Sequence, residues 1–199
     1  MNPLILFFLM SNLALGMVIT ASSYHWFLAW VGLELNTLAI IPILAKHHHP
    51  RATEAATKYF IIQATASSLI LFSSILNAWH TGTWDITQLS TKPATITLTI
   101  ALTMKLGLAP MHFWLPEVMQ GTTLSSALII ATWQKLPPMS LLLMTKHLPT
   151  PILLTLAITS TLVGGWSGLN QVHMRKILAF SSIAHLGLNS SYFNFITKT

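Results

Sequence analysis

The sequence predicts an all-α fold, a polytopic bundle of transmembrane helices forming a single domain over residues 1–199, and three observations carry that prediction. Hydrophobic residues make up 53% of the chain and charged residues 7%, against about 25% charged in soluble domains. Too little charge is present to cover a surface that faces water. Apolar runs of about the 20 residues needed to cross a bilayer core recur from one end to the other. The connections between them are short, with no hydrophilic domain or linker. A mean hydropathy of +0.64 agrees. Ser and Thr supply most of the remaining polarity, and their hydroxyls can return hydrogen bonds to helix carbonyls in lipid.

About seven spans follow from that ruler. The first, 3–20, begins directly after Met1 and Asn2. It lacks a basic n-region or an Arg-rich presequence, as expected of a membrane protein made in the compartment where it stays. The second, 24–45, holds Trp30 and Glu34, and the third, 58–79, follows a charged connection. The fourth, 94–119, is too long for one plain crossing. It contains Lys105-Leu-Gly107-Leu-Ala-Pro110-Met-His112-Phe-Trp-Leu-Pro116-Glu117. Proline inside a helix removes a backbone bond and clashes with the preceding turn. A discontinuous helix is therefore predicted near Lys105–Pro116, tolerable only inside protein or beside a wet cavity. The fifth span, 122–144, is interrupted at Pro137-Pro138, and spans 151–170 and 176–196 complete the set.

Charge sets orientation and excludes partners. Ten Lys/Arg against four Asp/Glu give a net charge of +6, but no clustered basic face exists to hold phosphates, so nucleic acid is not a partner. The lipid bilayer is. The connection near 46–58 carries Lys46, Arg51 and Lys58, offset by Glu54, and that near 171–176 carries Arg175 and Lys176. If every span crosses, these share a side, opposite Lys92, Lys146 and Asp85. The positive-inside rule then places the former side, with the N-terminus, on the cytoplasmic or matrix face. The absence of cysteine excludes disulfides and cysteine-ligated clusters in this chain.

Four ionisable residues fall near the middles of their spans: Glu34, Lys105, Lys135 and His185. At about 1.5 Å rise per residue, all four lie within a turn or two of the midplane. Each charge at that depth costs at least about 2.5–3.5 kcal/mol. Such a row reads as a proton relay, because low dielectric disfavours a charged amine and a nearby carboxylate restores it. Moving Glu34 relative to Lys105 then loads or releases a proton. Blander readings compete. Glu34 and Lys105 form a static ion pair, Lys135 snorkels, and His185 is a core histidine bonded to the Ser181 hydroxyl. His112, beside Pro110, serves either relay or packing. The run His47-His48-His49 reads as a solvated loop rather than a metal site, since consecutive imidazoles diverge and no carboxylate or cysteine completes the set. Trp26, Trp79, Trp84 and Trp166 read as interfacial anchors, while Trp30, Trp114 and Trp133 read as packing.

These residues stand in longer runs: Trp30-Val-Gly-Leu-Glu34-Leu-Asn36, Arg51-Ala-Thr-Glu54-Ala-Ala-Thr-Lys58-Tyr-Phe, Gln63-Ala-Thr-Ala-Ser67, Met104-Lys105-Leu-Gly-Leu-Ala-Pro110-Met-His112-Phe-Trp-Leu-Pro116-Glu117-Val, Thr132-Trp-Gln-Lys135-Leu, and Gly168-Leu-Asn-Gln171 with Arg175-Lys176-Ile-Leu-Ala-Phe-Ser181-Ser182. From Met1 to about Gly187 the chain resembles the subunit 2 family of mitochondrial NADH dehydrogenase (ubiquinone), antiporter-like, proton-pumping subunits of respiratory complex I. The resemblance implies a multi-pass protein of the mitochondrial inner membrane with other complex I membrane subunits as partners. It implies that NADH, FMN, iron–sulfur clusters and ubiquinone are handled by or with other subunits, and that this chain binds no cofactor and no metal. It implies two inverted five-helix repeats, the first over 1–145 and the start of the second over 150–199. Glu34, Lys105 and Lys135 match the family's glutamate, broken-helix lysine and connecting lysine, and His112 and His185 match polar positions on its hydrated axis. From about Leu188 the sequence diverges, and family members continue well beyond this length, so the chain reads as truncated.

The expected function is thus a core membrane subunit of proton-translocating NADH:ubiquinone oxidoreductase. An independent cation/proton antiporter and a non-pumping truncated scaffold are the alternatives.

Overall fold

The computed structural model describes residues 3–46, 49–145 and 148–196, the last three by their backbone only. In chain order the helices are α1 (Pro3–Ser22), α2 (Trp26–Leu44), α3 (Pro50–Thr81), α4 (Lys92–Leu106), α5 (Trp114–Gly121), α6 (Leu124–Ala131), α7 (Leu136–Met144), α8 (Thr150–Leu169) and α9 (Met174–Ile196), with a single 3₁₀ turn at Trp133–Lys135 before α7. Among the described residues there is no β-strand beyond an isolated bridge between His25 and Asp85. The protein is an all-α polytopic membrane bundle, as the sequence predicts. Among the described residues five segments are long and apolar enough to cross a membrane by themselves: α1, α2, α3, Leu124–Met144 and α8. The other two expected crossings are the broken pair α4 and α5, of 15 and 8 residues, and the more polar α9.

Small residues let the helices approach closely, the usual device where lipid removes the hydrophobic drive between them. On the α1–α2 hairpin a Cβ added to Gly16 would stand 2.8 Å from the Gly32 carbonyl oxygen. On the α8–α9 hairpin the backbone of Gly164 meets Ala184 in the same way. The buried apolar residues fall into two clusters. One gathers Leu13, Ile40, Tyr59, Trp114, Leu115 and Ile183, the other Trp26, Ile70, Leu98, Leu102, Leu106 and Leu141.

At one end of the bundle the start of α3, the end of α5 and the start of α9 converge. Lys58 bridges Glu54 (2.7 Å) and Glu117 (2.8 Å), and the Arg175 guanidinium donates to the carbonyls of Gln120 (3.0 Å) and Thr122 (2.5 Å). The two basic connections thus share one end, as the loop pattern requires. At the other end the 82–91 connection folds over the α1–α2 turn. Trp26 N–H donates to the Trp84 carbonyl (3.0 Å) and Ile86 N–H to the Tyr24 carbonyl (3.1 Å). Lys146, His47 and His48 lie outside the described residues.

Two expectations need correction. The fifth span breaks at Thr132–Lys135 rather than at the proline pair, because Pro137 and Pro138 open α7 and disrupt the turn before them. Trp26 is buried rather than interfacial, since the 82–91 connection covers it.

Candidate functional site

Two helix interruptions build the site. α4 stops at Leu106 because Gly107 adopts φ +79°, a left-handed conformation that glycine takes without penalty. Its N–H bonds to the Thr103 carbonyl (2.9 Å), and Leu108 N–H bonds to the same oxygen (3.0 Å), closing the helix end. Lys105 is therefore held in the last turn of α4, 5% exposed. The chain then runs without regular helix through Ala109, Pro110 and His112 and re-enters helix at Trp114. The indole of Trp114 lies over the bare face of Gly107, where an added Cβ would come within 3.3 Å of it. The second interruption puts Lys135, 7% exposed, on the 3₁₀ turn ahead of α7.

Lys105 and Lys135 line one cavity, with Tyr59, Gln63, Trp114 and Gln134 among its walls. The room inside for water centres is about 10 Å³, close to what a single water needs. The Gln63 side chain donates to the Lys105 carbonyl (3.4 Å), and Gln134 donates to the Asn36 carbonyl (3.1 Å). Several buried polar atoms have no hydrogen-bond partner among the described residues: Lys105 Nζ, Trp114 Nε1, Glu34 Oε2 and both amide atoms of Asn36. Unpaired buried polar atoms are costly and uncommon, and they concentrate where function demands them.

The expected residues are only partly brought together. Glu34, half-buried on α2, is close enough for its charge to act on Lys105 and on Tyr59. It makes no ion-pair contact within 4.0 Å, so the static Glu34–Lys105 bridge is not the arrangement present. His112 is buried in the linker between α4 and α5, its ring 4.3 Å from that of Phe113, with Nδ1 unpartnered. It is not part of the cavity wall. His185 occupies the exposed side of α9, so it is not a core histidine. The reason is positional: α9 turns Ala179, Ile183 and Leu186 inward, which leaves residue 185 outward. His49 caps α3, its Nδ1 accepting from Arg51 N–H (3.3 Å). No group of three or more potential metal ligands occurs among the described residues.

Sequence reasoning left Tyr59, Gln63 and Gln134 out of the chemistry. A signal existed: Tyr59 and Gln63 stand four apart on one helix face, and Gln63 is a full amide inside an apolar span. The Lys58–Glu117 bridge had no sequence signal, because the partners are far apart in the chain.

Chemically, the arrangement provides two amines facing one water-sized space, flanked by amides that can both donate and accept. Groups of this kind can hold a proton on either side of that space and exchange it across.

The chain is similar to known proteins along most of its length. Residues 23–196 match the family described as NADH:quinone oxidoreductase/Mrp antiporter, TM. The chain is 62% identical over 188 residues to NADH-ubiquinone oxidoreductase chain 2 of Varanus nebulosus, covering 94% of this chain and 54% of that protein. It thus spans about half the length of such curated relatives. Its fold is similar to a chain in the structure of respiratory complex I from Thermus thermophilus with bound aureothin. There the TM-score is 0.87 at 34% identity, over 94% of this chain and 44% of the other. A chain of the Mrp complex from Dietzia sp. DQ12-45-1b shares the fold at a TM-score of 0.82 and 20% identity, over 94% and 22% of the two chains.

Proposed function

Because this chain belongs to the NADH:quinone oxidoreductase/Mrp antiporter transmembrane family, we propose that it serves as a core membrane subunit of respiratory complex I in the mitochondrial inner membrane. Its role is proton translocation coupled to electron transfer from NADH to ubiquinone. One observation carries the assignment: two lysines, each delivered by its own helix interruption, share a buried cavity of water dimensions. A lysine kept in such a place without a contact counter-ion is expensive unless its charge is used.

In this role Lys105 and Lys135 carry the proton and Glu34 biases Lys105 through space. Gln63 and Gln134 orient what lies between the amines. His112 serves beside the relay, and His185, on the outer side of α9, meets whatever packs there. The N-terminus and the Lys58–Glu117 end face the matrix, following the excess of basic residues at that end. The segment up to 145 forms a first antiporter-like repeat, with α8 and α9 the start of a second. Other complex I membrane subunits are its partners. This chain binds no cofactor; NADH, FMN, iron–sulfur clusters and ubiquinone act in or with those other subunits.

The test is Lys105→Met in the assembled complex, with proton uptake and NADH oxidation measured together in vesicles. Fewer protons moved per NADH oxidised is the expected result. An unchanged ratio overturns the role given to Lys105.

A further inference from the structure

The facing surfaces of α3 and α5 form a seam that runs from the charged end of the bundle to the lysine cavity. At its outer end the backbone of Arg51 and the Ala55 methyl lie against Gly121, where an added Cβ would approach to 2.6 Å. Next come Lys58 and Glu117 at 2.8 Å, lining an open pocket together with Glu54 and Arg175. Then Tyr59 meets Trp114 edge-on, with ring centroids 5.8 Å apart and planes at 63°. Behind that pair lie Gln63 and Lys105. Gln63 stands five positions beyond Lys58 on the helix, a rise of about 7.5 Å. The two aromatic side chains stand on the seam between Lys58 and the cavity, in the same buried apolar cluster as Ala55, Leu115 and Val118.

We propose that Tyr59 and Trp114 are the gate between the Lys58–Glu117 pocket and the cavity of Lys105 and Lys135. The inference rests on reading Lys105 as a proton carrier. With the indole seated on Gly107, its apolar rings close the seam to water. The seat has no polar attraction to hold it, since Trp114 Nε1 is buried without a partner. Trp114 is the first residue of α5, an eight-residue helix entered through the non-helical stretch after Leu106. A small rotation of so short an element lifts the indole and lets water join pocket and cavity, giving its N–H a partner. Glu54, Glu117 and Lys58 then stand at the outer mouth as exchangers of protons with solvent. Trp114 is thus a positioning residue: it controls when water reaches the amine and takes no proton itself.

The chain contains no cysteine, so Gln63→Cys places a single reporter thiol in the cavity wall. Vesicles carrying the assembled complex are treated with a small membrane-impermeant methanethiosulfonate cation on the side of the Lys58–Glu117 pocket. Labelling of this chain is followed by mass spectrometry. The thiol is expected to react slowly behind Trp114, and on the order of tenfold faster when Trp114→Ala is added. Lys58→Cys, in the pocket itself, is expected to react equally in both backgrounds. Trp114→Phe, which keeps an aromatic plate but covers less of Gly107, provides a milder variant should the alanine complex fail to assemble, and it is expected to shift the rate in the same direction. Labelling unchanged by loss of the indole overturns the gate while leaving Lys105 as carrier. Unaltered pumping in Lys105→Met removes the carrier and leaves the labelling result standing.

Discussion

Lys105 and Lys135 face one cavity because each sits where a helix has been stopped, one by a left-handed glycine and the other by a pair of prolines. The shared cavity makes the two side chains a unit, and substitutions in either should behave as changes to one device.

Lys135→Met should therefore reproduce the loss of Lys105→Met. Removing a positioned proton-transfer group commonly costs about a hundredfold or more in the step it serves. Proton uptake per NADH is expected to fall in both single variants, and the double variant should be no worse than either. Additive losses, measured in the same vesicles, would show that the lysines act separately.

Glu34→Gln tests action at a distance. The carboxylate makes no ion-pair contact with Lys105, yet its charge reaches it. The neutral amide keeps the shape and removes the field. Thermal stability should change little, because no contact is broken, while proton uptake per NADH should drop. A large loss of stability with unaltered uptake would make Glu34 a structural group.

Gly107→Ala should destabilise the bundle. Holding alanine at φ +79° costs about 1–2 kcal/mol, and the new methyl would press on the Trp114 ring at 3.3 Å. A lower unfolding midpoint of the detergent-solubilised complex is the expected reading.

Gly16→Val attacks the α1–α2 crossing. Its side chain would have to enter the 2.8 Å gap to the Gly32 carbonyl, and overpacking of this kind costs about 1–3 kcal/mol. The substitution should separate the two helices and lower the yield of assembled complex, whereas Gly165→Val, which meets open space, should not.

Arg175→Ala should loosen α5 from α9 by removing the donors to the Gln120 and Thr122 carbonyls. Hydrogen exchange at the amides of α5 is expected to quicken, with Arg175→Lys intermediate, since both bonds come from the single nitrogen Nη1 and an ammonium on a shorter side chain replaces it less well.

The helices were legible because lipid-spanning segments must be apolar and continuous, and the first interruption was legible because Gly107 and Pro110 stand together inside an over-long run. The second was placed late, at Pro137-Pro138. A proline does its damage to the turn before it, and here that turn is the one bearing Lys135. The cavity's lysines could be named from their depth, but its other walls could not. Trp114 looks like ordinary packing until α5 is known to fold back on α3, and the pairing of Glu117 with Lys58 depends on that same fold. His185 shows the reverse failure. Its depth along the helix was readable, but the direction in which it points depends on which face of α9 its neighbours occupy.

The early stop of α4 has an electrical consequence. An unbroken helix carries the partial negative charge of its carbonyl end out to the aqueous face, where water screens it. Ending at Leu106 instead leaves that charge inside the bundle, in the same last helical turn that bears Lys105. The peptide backbone thus supplies part of the counter-charge that no acidic side chain provides by contact, and does so without adding a group that must itself be neutralised.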